Sequence, residues 1–168
     1  MKTIDYGKIP ILAFYLRRRM TREIKKVGLF YGVENMLYQL AASPLRCAVL
    51  SSNATKNVKR VFGSHISAYF DHYDCQASFL GKTARLKKLL GKSGFKSHDT
   101  LMTGDEIRDL EAARKLDVSF GAATWGFNNL AVFLRHKPDY VFQEVSDISR
   151  LLAPQKQAHP PDLPIMRN

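Results

Sequence analysis

From residue 45 to residue 152 the chain alternates short apolar runs with longer stretches whose apolar residues recur at helical spacing, and this rhythm restricts the fold more than any other feature. Residues 45–50 are apolar apart from Arg46 and end in Ser51-Ser52-Asn53; residues 55–62 then place Val58, Val61 and Phe62 at helical intervals. Residues 68–70 read as a short strand, residues 81–90 as a lysine-rich helix with Ala84, Leu86, Leu89 and Leu90 on its apolar side, and residues 100–103 as a strand. A helix over 106–116, a strand over 119–124, a helix over 128–135, a strand over 140–142 and a helix over 146–152 complete the series. Strands alternating with helices of this length imply βαβ units and a mainly parallel sheet, so the class is α/β. No internal repeat is present.

The ends differ from the middle. Residues 10–42 read as two helices, a basic one over 15–26 and an apolar one over 33–42, separated at Gly32; residues 1–4 give a strand signal. Residues 154–168 hold four of the seven prolines without periodicity, which predicts a disordered tail.

The 168 residues, 45% of them hydrophobic, suffice for one domain with a real core. No apolar run reaches the ~20 residues of a membrane span. The densest run, residues 9–16, is followed by Arg17-Arg18-Arg19, whereas a signal peptide carries its charges first. No membrane partner is expected. Cys47, read inside a strand, and Cys75, read in a loop, offer no disulfide framework, which points to a reducing, cytoplasmic setting. The net charge of +11 reads chiefly as the solvated faces of amphipathic helices. It comes with no zinc-finger spacing and no RRM-like aromatic signature, so a nucleic acid is not an expected partner.

Three polar clusters follow strands or open helices. Ser51, Ser52 and Asn53 offer hydroxyls and amides suited to phosphate oxygens, although the same residue types also cap helices. Lys82 sits at the start of its helix, where a cation opposes the macrodipole and is costly without an anion beside it. Asp105 and Asp109 follow the strand at 100–103, at the carboxyl end where open α/β sheets bind ligands, and a carboxylate pair suits a hard cation such as Mg²⁺.

In order and spacing these clusters resemble the haloacid dehalogenase superfamily, in particular its phosphoglycolate phosphatase-like branch, over residues 29–150. Residues 48–53 resemble the second motif of that family, which implies that Ser51, with Ser52 as fallback, binds the transferred phosphoryl group. Residues 79–82 resemble the third motif, whose lysine, here Lys82, neutralises nucleophile and phosphate. Residues 104–109 resemble the fourth, Gly-Asp-x-x-x-Asp, which implies Mg²⁺ on Asp105 and Asp109, held weakly here because it would have few protein ligands. Residues 123–128 resemble the following loop of that branch, with Trp125 open to a core-packing role. The resemblance implies a Rossmannoid three-layer sandwich with a helical cap, and Mg²⁺-dependent hydrolysis of a small phosphorylated metabolite through an aspartyl-phosphate.

The chain departs from that pattern at its start. The family opens with a central strand ending in Asp-x-Asp-Gly-Thr, whereas this chain opens Met1-Lys2-Thr3-Ile4-Asp5-Tyr6-Gly7. The expected layout is therefore a cap remnant over 1–30, a core over 31–153 and a tail over 154–168, with the first central strand missing or replaced. Loss of that strand would leave the strands carrying the second and fourth motifs with unpaired edges, open to residues 1–4 or to another chain, including a second copy. The expected function is that of a truncated, inactive phosphatase-like protein. The alternative is a non-catalytic phosphate- or partner-binding protein. A smaller departure, Asp117 where the family has glycine after its helix, calls for a left-handed turn that aspartate tolerates.

Overall fold

The computed structural model describes residues 23–76 and 81–152. The strand signal at residues 1–4, Asp5, most of the basic helix and the proline-rich tail lie outside the described residues. A short 3-10 turn, Ile24–Lys26, leads to helix α1, Val33–Ala41, which Gly32 opens in a left-handed conformation. Five strands and five further helices then alternate: β1 Ala48–Ser51, α2 Thr55–Ser67, β2 His72–Cys75, α3 Gly81–Ser93, β3 Leu101–Gly104, α4 Ile107–Arg114, β4 Ser119–Ala123, α5 Leu130–His136, β5 Tyr140–Phe142 and α6 Val145–Leu152.

All pairing is parallel, as the alternation requires. β1 pairs with β2 in the register Ala48 to His72 and Ser51 to Cys75. β3, β4 and β5 form a second sheet in that order, with Leu101 opposite Ser119 and Gly121 opposite Tyr140. Among the described residues β1 pairs only with β2 and β3 only with β4, so each offers an unpaired edge. Leu50 on β1 and Met102 on β3 nevertheless pack against the same core cluster, so the two sheets share one interior. Phe120 on β4, Phe133 on α5 and Leu110 on α4 fill that interior, and burying each contributes about 1.5–3 kcal/mol. A second cluster joins Met36 and Leu37 of α1, Ile66 of α2 and Val145 of α6, and Trp125 packs onto it as a core residue.

Two expectations need correction. Residues 68–70 are not a strand: Ala68 closes α2 with its N–H on the His65 carbonyl, and the strand is His72–Cys75. It has no apolar run to mark it, since polar His72 and Asp74 alternate with Tyr73 and Cys75, and Cys75, read as loop, is its buried last residue. On α3 the buried face is Arg85, Leu86, Leu89 and Ser93, while Ala84 is exposed. Leu86 and Leu89 fix the helix phase, and Arg85 rather than Ala84 lies one turn from Leu89. Asp117 adopts the left-handed turn read from the sequence, with φ 52°, and lets the Val118 N–H return to the Ala113 carbonyl.

Candidate active site

The carboxyl ends of β1 and β3 and the amino ends of α3 and α4 bring the polar clusters to one end of the core. Ser51 is the last residue of β1, and its Oγ accepts from the Asn53 N–H at 3.1 Å, which folds the chain into a tight turn. Asn53 Oδ1 accepts from the Ala54 N–H and from Asn57 Nδ2, each at 2.9 Å. Ser52 is exposed. The N-cap of α2 is Ala54, without a side-chain bond, so none of these three residues caps the helix in the ordinary way. The Ser51 and Asn53 side chains organise the turn itself.

Lys82 lies in the first turn of α3, where the macrodipole demands an anion. Asp109 is that anion: Lys82 Nζ lies 2.7 Å from its Oδ1, with the two side chains 11% and 6% exposed. Burial pushes the Asp109 carboxyl above its ordinary pKa, and Lys82 works against that shift. Gly104 makes the approach of Asp109 to the strand end feasible, because a Cβ there would come within 2.7 Å of Asp109 Oδ2. Asp105, half-buried, accepts from the Phe127 N–H at 2.9 Å through Oδ2, and its carbonyl accepts from the Asn128 N–H. Asn128 Oδ1 in return accepts from the Ile107 N–H at 3.2 Å, capping α4 from another loop. Gly126 belongs to the same interlock, since a Cβ there would overlap Asp105 Cβ and Oδ2.

The structure thus couples Lys82 directly to Asp109 and holds Asp105 beside the 126–128 loop. No group of three His, Cys, Asp or Glu converges among the described residues. Asp105 and Asp109, at the carboxyl end of β3, would suit Mg²⁺, which keeps several waters and takes one or two protein carboxylates. They do not form a closed cage of protein ligands. Sequence reading missed Arg85 and Asn57, and took Asn128 and Gly126 only as members of the 123–128 loop. Arg85 left a signal as a charge one turn from Leu89 on the apolar side of α3.

The family profile described as haloacid dehalogenase-like hydrolase matches residues 2–123, most of the chain. The chain belongs to that family. It is 29% identical over 134 residues to a phosphoglycolate phosphatase of Synechococcus elongatus, covering 79% of this chain and 63% of that protein. It is 29% identical over 128 residues to a phosphoglycolate phosphatase of Pectobacterium atrosepticum, covering 74% and 55%. The chain therefore spans less than two thirds of the length of these relatives. A haloacid dehalogenase-like family hydrolase from Streptococcus pneumoniae shares the fold, with a TM-score of 0.75 at 19% identity over 88% of this chain and 71% of that one. The chain thus has the Rossmannoid α/β fold of haloacid dehalogenase-like hydrolases, and its curated relatives are phosphatases.

Proposed function

We propose that this haloacid dehalogenase-like chain binds a small phosphorylated metabolite, with phosphoglycolate as the first candidate from its curated relatives, at the turn after β1. The observation that carries this reading is the buried Lys82–Asp109 pair at the mouth of α3, next to the carboxyl ends of both sheets. Lys82 neutralises the phosphoryl group, Ser51 orients it, and Ser52 and Asn53 offer further donors from the same turn. Asp105 and Asp109 would hold Mg²⁺, which would neutralise developing charge on phosphoryl oxygens.

Binding of the phosphorylated ligand is the expected behaviour, with turnover as in its phosphatase relatives or without it as in a dedicated phosphate binder. Calorimetric titration of the purified chain with phosphoglycolate, with and without Mg²⁺, tests binding, and release of p-nitrophenol from p-nitrophenyl phosphate tests turnover. Saturable binding supports the reading, with release marking a phosphatase and its absence a dedicated binder; no binding overturns it. Among the described residues no helix is long and apolar enough to cross a membrane. The edges of β1 and β3 that are unpaired among the described residues would also serve pairing with a second copy of the chain.

A further inference from the structure

Arg85 is 4% exposed, and nothing in the chemistry above uses it. Its Nη2 donates to the Ser51 carbonyl at 2.7 Å, to the Asp74 carbonyl, and to Asp74 Oδ1 at 3.2 Å. Ser51 ends β1, and Asp74 sits opposite Leu50 in the paired strand, so one nitrogen ties the ends of two strands to α3. The arrangement is incomplete: Arg85 Nε and Asp74 Oδ2 are both buried without a hydrogen-bond partner. A buried ion pair left partly unsatisfied is a poor source of stability, and a well-packed apolar residue beside Leu86 and Leu89 would do as well or better. Fold stability does not account for this residue.

Its placement does. Lys82 and Arg85 stand three residues apart on α3 and so project from neighbouring positions on one side of the helix. Lys82 reaches across to Asp109 on α4, while Arg85 reaches to the Ser51 peptide. The Ser51 carbonyl and the Ser52 N–H belong to one planar peptide, so holding the first aims the second. We infer that Arg85 is a positioning residue for the phosphate-binding turn: through the Ser51 carbonyl it fixes the turn over residues 51–53 at a set separation from Lys82. Its purpose rests on the phosphate-binding reading above, but its action on the turn can be measured without phosphate.

The test is Arg85→Lys in the full chain, which keeps a positive charge near Asp74 while its shorter side chain withdraws the single nitrogen from the Ser51 carbonyl. Two quantities are read: amide hydrogen exchange at Ser52 and Asn53 against the β4 amides, and calorimetric affinity for inorganic phosphate. Exchange at Ser52 and Asn53 should rise at least tenfold with β4 unchanged, and the phosphate Kd should rise at least tenfold. Exchange at the turn within twofold of the parent overturns the proposal, and so does an equal rise in β4, which would mark Arg85 as a general structural residue. A parent chain that takes up no phosphate overturns the reading of the site, while the exchange data still decide the role of Arg85. Should Arg85→Lys not fold, Asp74→Asn leaves Arg85 on the Ser51 carbonyl. Slow exchange at the turn then supports Arg85, and fast exchange assigns the control to Asp74 and overturns it.

Discussion

Lys82 and Asp109 are buried together, each the other's charged partner. Lys82→Met would leave Asp109 without that partner, and breaking such a pair costs about 3–5 kcal/mol. Adding Asp109→Asn removes the stranded charge, so the double variant should recover much of that loss in urea unfolding. A double variant as unstable as the single one would show that the pair contributes little. Asp105 gives a steric counterpart. Gly126→Ala would drive a methyl group into its carboxylate, and forced overpacking of this kind costs about 1–3 kcal/mol. The same change should release the Phe127 amide from Asp105, seen as faster hydrogen exchange there; an unchanged amide would mean that the loop yields instead. Lys82 was legible in the sequence because a cation at a helix start asks for an anion, although nothing local says that Asp109, 27 positions later, supplies it. Gly126 was not legible, because its reason is a side chain 21 positions away.

Helix α6 shows how an element takes its start from one carboxylate. Asp147 Oδ2 accepts from the N–H groups of Gln143 at 2.8 Å and Glu144 at 3.0 Å, and Oδ1 pairs with Arg150. The backbone donors hold the Asp147 carboxyl below its ordinary pKa. A depressed carboxyl lends stability that is present above its unfolded value and disappears as pH falls through the folded one. Asp147→Ala should therefore lower the thermal midpoint at neutral pH, and the gap between variant and parent should close in acid. A gap independent of pH would assign the effect to packing instead. The helices were readable because their apolar spacing survives in short stretches: α2 runs to Phe62 before Gly63 breaks it, and α5 begins at the asparagine cap Asn129. β2 was not, since alternation of polar His72 and Asp74 with Tyr73 and Cys75 carries no run to detect. Arg85 escaped for a related reason, as a charge in a lysine-rich helix looks like one more solvated residue.

The molecule is electrically lopsided. Residues 35–98 carry ten Lys and Arg against two Asp, whereas residues 99–152 carry six against nine Asp and Glu. Both acids of the first part are engaged, Asp71 by Arg46 at 3.7 Å and Asp74 by Arg85, so the exposed lysines of α2 and α3 meet solvent. An anion approaching the turn after β1 thus enters a field set by the whole first part as well as by Lys82. Raising salt from about 0.05 to about 0.5 M shortens the Debye length to a few ångströms and should weaken phosphate binding severalfold. Affinity unaffected by salt would confine the attraction to the buried pair. The parallel α/β plan was legible at this scale from alternation alone, whereas the unpaired edges of β1 and β3 among the described residues were expected only through the family resemblance, because pairing partners leave no mark in either strand.

Helix α3 joins two neighbourhoods through consecutive turns, and their agreement depends on angular phase. Each residue advances an α-helix by about 100°. One residue inserted between Lys82 and Arg85 would swing one cation round the cylinder while the other stayed in place. The chain could then keep every functional side chain, in the right order, and still be unable to engage Asp109 and Ser51 with the same helix.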